Sequence, residues 1–427
     1  MAREMKDSGI EWIGEIPCEW HLEKHKYLFS CGKEIVGKAS VSTQLLSLTT
    51  QGVKLKNSDA VGGKLPESFD TYQTVEKGNL IMCLFDLDCS AVFSGLSPFS
   101  GMISPAYKVL KCSEKIIPAF ADYWFRFVFD GRKFKSYAKN LRYTLNYDEF
   151  ACIPLALPSL QEQQRIAAFL DCKCAEIDSV IAATQRTIEE YKVLKQSIIT
   201  DAVTKGVRGK RPMKDSGIEL VDVIPEEWRY SPIKYVAKFQ PACNTSDFTE
   251  DTEITYTPMD CIKNGYYVQN TAKYGSVASS LTPYEEGDIV MAKVTPCFEN
   301  GNIALMENLA SGFGMGSSEL FVYRAIDVNV RFLLYWLQND KFKDGACATM
   351  TGTGGLKRVS PYYAKNAMIL LPSDDEQEEI VAYLDAKCAD MDSLIASKEK
   401  LLTELESYKK SVIYEYVTGK KEVPACQ

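Results

Sequence analysis

Residues 157–206 read LPSLQEQQRIAAFLDCKCAEIDSVIAATQRTIEEYKVLKQSIITDAVTKG, and residues 371–420 read LPSDDEQEEIVAYLDAKCADMDSLIASKEKLLTELESYKKSVIYEYVTGK. A constant shift of 214 residues, from 157 to 371, aligns the two stretches without a gap. An internal repeat constrains the architecture more than any single motif does. The chain therefore contains two copies of one structural segment, around which the other stretches are arranged.

Each copy predicts a long helix with the same start signal. Ser159 with Glu162, and Ser373 with Glu376, form S-x-x-E capping boxes directly after a proline. No glycine or proline interrupts either copy until a glycine near its end. A helix of about 44 residues at roughly 1.5 Å per residue is a rod of about 65 Å, which is rare in the core of a compact domain.

Apolar residues recur along both predicted helices in steps of three and four. A seam sustained over more than four heptads predicts coiled-coil pairing of the two copies. Two unrelated surface helices would leave the repeat unexplained. The predicted seam comprises Leu170, Ile177, Ile181, Ile188, Leu194, Ile198, Leu384, Met391, Ile395, Leu402, Leu405 and Val412.

A second repeat opens each half of the chain. MKDSGIEWIGEIPCEW at residues 5–20 recurs as MKDSGIELVDVIPEEW at residues 213–228, a shift of 208. Between each opening motif and its long helix, the sequence predicts a mixed α+β body with a mainly antiparallel sheet. The predicted divisions are a first body (1–157), a first long helix (158–206), a linker (207–212), a second body (213–371), a second long helix (372–420) and a tail (421–427).

The composition is typical of a soluble globular protein. Of the 427 residues, 46% are hydrophobic and 25% are charged, and no apolar run is long enough for a membrane span. The 14 cysteines are scattered and the N-terminal residues contain no signal-peptide core, so we expect a cytoplasmic protein with reduced thiols.

The net charge of −8 is unevenly distributed. The second body carries 14 basic residues against 19 acidic ones, and residues 372–427 carry 7 against 13. A nucleic-acid site on this chain would therefore depend on a local basic face rather than on the total charge.

Catalytic motifs are absent from the sequence. It contains no G-x-x-x-x-G-K-[ST] phosphate loop, and the glycine-rich stretch 312–316 fits no dinucleotide fingerprint. The only histidines, His21 and His25, could share a helical face as metal ligands do, but no third ligand is apparent. We interpret them as a surface pair, and we predict a non-catalytic chain that holds no cofactor or metal itself.

Basic residues interleaved with tyrosines or other polar residues lie at corresponding places in the two bodies, shortly before each long helix. Lysine and arginine neutralise phosphates, and arginine and polar side chains can read base edges. A basic cluster alone is usually a solvated face, but its recurrence in both bodies favours DNA contact. The predicted DNA-binding residues are Lys54, Lys56, Arg132, Lys133, Lys135, Lys139, Arg142 and Tyr143 in the first body and Lys341, Lys343, Thr353, Lys357 and Arg358 in the second.

In motif order and duplicated layout, essentially the whole chain resembles the specificity subunits of type I restriction-modification systems. The stretches that carry the resemblance are KDSGIEWIGEIPCEW (6–20), LPSLQEQQRIAAFLD (157–171), EGDIVMAKVTPCFENGNIA (286–304) and SGFGMGSSELFVYR (311–324). The resemblance implies that each body is a target recognition domain, which reads one half of a bipartite site in double-stranded DNA. It places the recognition loops at residues 132–143 and 351–358.

The resemblance also implies a set of partners. The two long helices would pack antiparallel, hold the domains apart and dock two methylation subunits, and restriction subunits would join that core. S-adenosylmethionine, ATP and Mg would be bound by those partners rather than by this chain. Because the two bodies differ, the expected target is asymmetric, and the helix pair would set its spacer as a ruler does.

Two other functions are compatible with the residues alone. The chain could be a coiled-coil scaffold whose globular ends bind protein, in which case its partner binding would be insensitive to salt and it would lack DNA affinity. It could also be a stand-alone nuclease, in which case this chain by itself would cleave DNA with a metal ion.

Overall fold

The chain folds into two compact units that each draw on both long helices. The structure is a computed structural model that describes residues 3–56, 68–138, 143–218, 220–353 and 355–424. Unit 1 comprises residues 1–185 and 400–427, and unit 2 comprises residues 186–399. Each unit therefore contains one globular body, the first part of the long helix that follows it, and the last part of the other long helix.

Unit 1 is built from short strands, two short helices and parts of the two long ones. Its strands are β1 (Met5–Asp7), β2 (Glu15–Pro17), β3 (His21–Lys24), β4 (Phe29–Cys31), β5 (Leu46–Thr49), β6 (Gly52–Leu55), β7 (Gln73–Val75), β8 (Leu80–Met82), β9 (Ser94–Leu96), β10 (Gly101–Ile103), β11 (Lys108–Cys112) and β12 (Pro154–Leu157). Its helices are α1 (Pro118–Asp130), α2 (Tyr147–Cys152) and the first part of α3 (Leu160–Lys205).

Unit 2 repeats this plan with additional strands. They are β13 (Met213–Ile218), β14 (Val221–Pro225), β15 (Arg229–Pro232), β16 (Ala237–Phe239), β17 (Glu253–Thr257), β18 (Thr271–Lys273), β19 (Thr282–Glu285), β20 (Ile289–Ala292), β21 (Ile303–Leu305), β22 (Phe313–Gly316), β23 (Leu320–Ala325), β24 (Thr351–Thr353), β25 (Leu356–Arg358) and β26 (Met368–Leu371). Its helices are α4 (Val330–Gln338), α5 (Asp340–Ala348), α6 (Pro361–Asn366) and the first part of α7 (Asp374–Val417).

The same four-stranded antiparallel sheet occurs in both units. Its strand order is β4-β11-β8-β9 in unit 1 and β16-β23-β20-β21 in unit 2. Two pairs of sequence fragments correspond between the bodies: KGNLIMCLFD (77–86) with EGDIVMAKVT (286–295), and GMISPAYKVLK (101–111) with GMGSSELFVYR (314–324). They supply the two central strands of each sheet. Unit 2 also has the sheet β18-β17-β22-β19, in which β17 and β22 run parallel, and unit 1 has the equivalent pairs β6-β5 and β10-β7, joined by a parallel bridge between Leu45 and Met102. The α+β class with a mainly antiparallel sheet is confirmed.

An aromatic-rich helix joins each sheet to the long helices. Trp124 of α1 is fully buried in the apolar cluster that also contains Val412 and Val417 near the end of α7. Trp336 of α4 is buried in the corresponding cluster with Val203, near the end of α3. Burying an aliphatic or aromatic side chain of this size contributes about 1.5–3 kcal/mol, so these contacts hold the helix ends on the bodies.

The start of each long helix is fastened to an opening-motif tryptophan. The Glu162 amide donates to the Ser159 hydroxyl, 3.3 Å away, as the capping box predicts. The Glu162 carboxylate accepts from the Trp20 indole N–H at 2.9 Å. In unit 2 the Trp228 indole donates to Glu376 at 3.0 Å. The opening motif and the start of the long helix repeat with shifts of 208 and 214 residues. In each unit they nevertheless meet in the same tryptophan–glutamate hydrogen bond.

A buried glutamine makes a second link between each body and its long helix. In unit 1 the side-chain nitrogen of Gln163 donates to the Pro158 carbonyl, and its oxygen accepts from the Ile117 amide just before α1. In unit 2 Gln377 donates to the Pro372 carbonyl and accepts from the Asn329 amide just before α4. Because both glutamines are almost inaccessible to water, these bonds fix where the helix meets the body.

The two long helices run antiparallel within each unit. In unit 1 the Lys409 ammonium lies 2.6 Å from Asp178, and the rings of Phe169 and Tyr416 lie 4.5 Å apart. In unit 2 Lys195 and Asp392 form an ion pair at 2.7 Å. The two ion pairs are related by the 214-residue shift. The predicted pairing is therefore present in both units with equivalent contacts.

Most predicted seam residues are buried or half-buried, but Leu194 differs. Its side chain is 45% exposed. Alternating steps of four and three from Ile188 pass through Tyr191 and Lys195 to Ile198, so the heptad position belongs to Lys195. Lys195 is half-buried and makes the ion pair with Asp392. The prediction of Leu194 as a seam residue followed from its apolar side chain, whereas the seam position is occupied by the neighbouring lysine.

The interpretation of the two histidines as a surface pair is wrong for His25. His21 lies exposed at the start of β3, but the His25 ring is fully buried among the rings of Phe29, Phe125, Phe134 and Phe150. Its Nδ1 lies 3.1 Å from the Phe150 carbonyl oxygen. Burial lowers its pKa from 6.5 to about 3, because a charged ring would lose its hydration.

We expect this histidine to make folding sensitive to acid. Between pH 6.5 and about 3 the unfolded chain binds a proton at His25 that the folded chain does not, so stability falls as the pH falls, by up to about 1.4 kcal/mol per pH unit. In urea unfolding at pH 7.5 and pH 5.0, His25→Gln should lose less stability on acidification than the parent chain. His21→Gln is the control and should keep the parent's pH dependence. An equal pH dependence in His25→Gln would contradict a buried neutral ring.

The tryptophan–glutamate contact predicts unequal costs in the two units. Glu376 is buried and also lies 2.6 Å from the Arg211 guanidinium, so Glu376→Ala leaves the Trp228 indole without its acceptor and removes one buried carboxylate partner of the arginine. We expect a loss of about 3–5 kcal/mol in the free energy of unfolding. Glu162→Ala should cost less, because that carboxylate is 20% exposed and water can replace it. Chemical unfolding followed by circular dichroism measures both, and equal losses would contradict this account.

Candidate nucleic-acid interface

The predicted recognition segment of unit 2 is an exposed β-hairpin. Strands β24 and β25 pair Thr351 with Arg358 and Thr353 with Leu356. Gly352 has a φ of 147°, and a Cβ at this position would lie 2.2 Å from the Leu356 carbonyl oxygen. Only glycine allows the two strands to approach this closely. The hairpin presents Thr353, Leu356 and Lys357 to solvent.

The hairpin is attached to the loop that follows the central strand β20. The Thr295 amide donates to the Lys357 carbonyl at 2.9 Å, and the Val359 amide donates to the Lys293 carbonyl at 2.8 Å. The Thr295 hydroxyl also accepts from the Lys357 amide at 2.9 Å. The exposed hairpin is therefore held by backbone hydrogen bonds to the loop directly after a central strand of the sheet.

Unit 1 holds its recognition segment in the same way. The Leu87 amide donates to the Tyr143 carbonyl at 3.1 Å, and the Leu145 amide donates to the Leu84 carbonyl at 2.8 Å. Leu84 and Leu87 lie just after β8, the strand that corresponds to β20. Tyr143 thus occupies the position that Lys357 occupies in unit 2. The two segments matched in the sequence lie at equivalent places on equivalent sheets.

The basic residues beside the unit 1 segment differ in whether their charged groups are free to bind an incoming ligand. Arg132 donates to the carbonyls of Leu87 and Ser90 at 3.0 and 3.2 Å, so its guanidinium holds the loop after β8 in place. Lys133 is half-buried over the Phe127 ring, and burial lowers its pKa. Lys135 is exposed with its ammonium 4.2 Å from the Tyr143 ring centroid. Lys139 and Arg142 lie outside the described residues.

The other predicted residues of unit 1 lie on a second hairpin. Strands β5 and β6 pair Leu46 with Leu55, and Lys54 and Lys56 are exposed at its end. Lys54 donates to the Gln51 side chain.

In unit 2 the remaining basic residues lie on the hairpin and on α5. Lys341 is exposed and Lys343 is half-buried at the start of α5. Arg358 is bound by Glu319 through two contacts of 2.7 and 2.9 Å. The hydrogen bond from Arg358 lowers the pKa of Glu319, which favours the ionised carboxylate that the pair requires. Lys357 is therefore better placed than Arg358 to meet an incoming phosphate.

Sequence reasoning did not find the groups that hold the segments in place. Thr295 and Glu319 bind the hairpin across 62 and 39 residues of chain, and neither belongs to a periodic pattern. The chain offered one indirect signal, because Thr295 ends one of the fragments that correspond between the two bodies.

The described part of the chain contains neither a helix suited to crossing a membrane nor a group of potential metal ligands. Among residues 3–56, 68–138, 143–218, 220–353 and 355–424, no helix is long and apolar enough to cross a membrane. Within those ranges, no three histidine, cysteine, aspartate or glutamate side chains are grouped so that they could hold a metal ion.

Part of the chain is similar to proteins of type I restriction systems. Residues 225–407 match the family model of the type I restriction modification DNA specificity domain. The Escherichia coli type I restriction enzyme EcoEI and EcoAI specificity subunits are each 30% identical to this chain, over 220 and 194 residues. These matches cover 50% and 44% of this chain and 36% and 32% of the relatives. The chain thus spans about a third of the length of these relatives.

Solved structures share the fold. One belongs to a study of complex assembly and conformational transition of the type I R-M system, with a TM-score of 0.68 and 14% identity over 95% of this chain and 99% of that one. The HsdS subunit from Thermoanaerobacter tengcongensis has a TM-score of 0.50 and 15% identity over 95% and 98%. The resemblance to type I specificity subunits is confirmed.

Proposed function

We propose that this chain is the DNA sequence-specificity subunit of a type I restriction-modification complex. Each body would read one half of a bipartite site in double-stranded DNA. The proposal rests chiefly on one observation: the two units hold different segments, at Tyr143 and at Lys357, by two backbone bonds each to the loop that follows the equivalent central strand. A constant frame that carries variable exposed segments is suited to reading two different sequences by one docking geometry.

The two segments present different chemistry. The unit 2 hairpin offers threonine hydroxyls and Lys357, whereas unit 1 offers an aromatic ring with Lys135 over it. Hydroxyl and amino groups hydrogen-bond to base edges in the major groove, and aromatic rings make apolar contacts there. Half-sites read by such different groups would differ, which gives an asymmetric interrupted target.

We further propose that this chain acts in the cytoplasm without catalysing a reaction. Two methylation subunits would dock on the helix pair, and restriction subunits would join through them. Methyl transfer and DNA cleavage would use S-adenosylmethionine, ATP and Mg held by those partners. The repeated helix contacts support two equivalent docking positions, because the ion pairs Lys195–Asp392 and Lys409–Asp178 give the two units equivalent surfaces.

The first test is methylome sequencing of cells that express this chain with its methylation subunit, compared with cells that lack the chain. We expect methylation of one interrupted two-part motif. Replacing residues 213–371 with the body of another specificity subunit should change one half of that motif and leave the other unchanged, because each half is read by one body. If the complex forms but methylation is not sequence-specific, a scaffold that binds only protein becomes the better reading.

The second test concerns the spacer. Inserting one heptad into each long helix, after residues 185 and 399, keeps the seam in register and lengthens each helix by about 10 Å, or about three base pairs of DNA. We expect the methylated motif to gain a longer spacer or methylation to be lost. A heptad inserted into only one helix shifts the pairing of the two helices and should abolish methylation of the motif. An unchanged spacer in an active double insertion would contradict the proposed role as a ruler.

A further inference from the structure

A two-residue identity survives where the two bodies have otherwise diverged. After the opening motif, residues 21–25 and 28–31 differ at every position from residues 229–233 and 236–239, which the 208-residue shift aligns with them. Between these stretches, Lys26-Tyr27 recurs as Lys234-Tyr235. An isolated identity in a diverged stretch indicates a role that both bodies still need.

Other identities of the opening motif are explained by contacts within each unit. Lys6 donates to the Cys18 carbonyl at 2.7 Å, and Lys214 donates to the Glu226 carbonyl at 2.6 Å. Asp7, like its counterpart in unit 2, accepts from the glycine amide two residues later. The tryptophans bind the helix glutamates. These identities are required by the fold.

The Lys–Tyr pairs differ because their tyrosines remain in solvent. Tyr27 is 53% exposed and Tyr235 is 66% exposed. In each pair the lysine ammonium lies over the neighbouring tyrosine ring, 4.8 Å from the centroid in unit 1 and 5.1 Å in unit 2. Lys234 also donates to the Asn366 side chain, but the residue aligned with Asn366 is Cys152. The pair is therefore retained in unit 1 without that structural contact.

The pairs lie at the end of each body away from the start of its long helix, beside the short helix that follows the recognition segment in the chain. Strand β15 pairs with β26 so that Arg229 meets Leu371 beside the start of α7, while Pro232 meets Met368 at the other end. Lys234 and Tyr235 follow that other end, next to α6, the short helix that comes just after the recognition hairpin. Strands β3 and β12 place Lys26-Tyr27 in the same way beside α2.

We propose that each Lys–Tyr pair binds a phosphate of the DNA backbone beside the half-site that its body reads. The ammonium supplies the positive charge and the phenol supplies a hydrogen-bond donor, two groups that proteins use on phosphate oxygens. The tyrosine ring holds the ammonium near the surface through a cation–π contact. Phosphate contacts carry no sequence information, so one pair serves two bodies that read different bases. This inference rests on the proposed function.

The test measures DNA affinity of the full chain assembled with its methylation subunits. Fluorescence anisotropy with a target duplex and a scrambled duplex, at 50–200 mM salt, compares the parent with Lys26→Gln/Lys234→Gln. We expect weaker binding to both duplexes by the same factor, on the order of tenfold, and a salt-dependence slope smaller by about two. Each single lysine substitution should reduce the slope by about one. Tyr27→Phe/Tyr235→Phe should weaken binding without changing the slope, because no charge is removed.

A matched control separates the pair from general charge. Lys24→Gln removes the same charge from an exposed neighbour whose aligned residue is Pro232, so it should leave the slope unchanged. Provided that the parent complex binds its target, three outcomes would overturn the inference. They are an equal fall of the salt slope in the Lys24 control, an unaltered slope in the double variant, and a changed preference between the target and scrambled duplexes. Loss of methylation subunits from the purified double variant would identify a protein contact instead. A parent complex without affinity for its target duplex would overturn both this inference and the proposed function.

Discussion

The hydrogen bond from an opening-motif tryptophan to the third residue of a long helix is the constraint on which each unit depends. The acceptor carboxylates of Glu162 and Glu376 lie in the first helical turn, where the exposed backbone N–H groups favour negative charge. An arginine placed over the indole, Arg3 or Arg211, completes each site. Apolar contacts alone would let a body slide along its helix. A carboxylate that must meet an indole and a guanidinium at one point does not allow that movement.

Because this contact is repeated, both bodies share one internal frame. The central sheet, the aromatic helix and the buried glutamine recur, and the loop after the central strand receives the recognition segment by the same two backbone bonds. Backbone bonds tolerate any side chain, which explains how Tyr143 and Lys357 occupy one position. The shared elements fix the position of each recognition segment, whereas the side chains of the two segments can differ.

The repeated, local features could be predicted from the sequence, whereas features that depend on distant contacts could not. The helices, their capping signals and the α+β class follow from spacing within a few residues. The burial of His25 depends on Phe125 and Phe150, which join it from about 100 residues or more along the chain. Leu194 was selected because it is apolar, but the register of the pair gives the position to a lysine with a distant carboxylate. The hairpin's support by Thr295 likewise required the tertiary structure.

The acidic excess of unit 2 is better understood from its ion pairs than from its net charge. Arg324 lies between Glu285 and Asp288, Arg331 is bound by Asp385, and Arg358 is bound by Glu319. Acidic residues thus neutralise these arginines within the unit, and the buried Asp288 does so for Arg324. The charge available to a phosphate then comes mainly from exposed lysines such as Lys341 and Lys357. A body can therefore be acidic in total and still present a basic face, provided that its carboxylates point toward its own arginines and its lysines toward solvent.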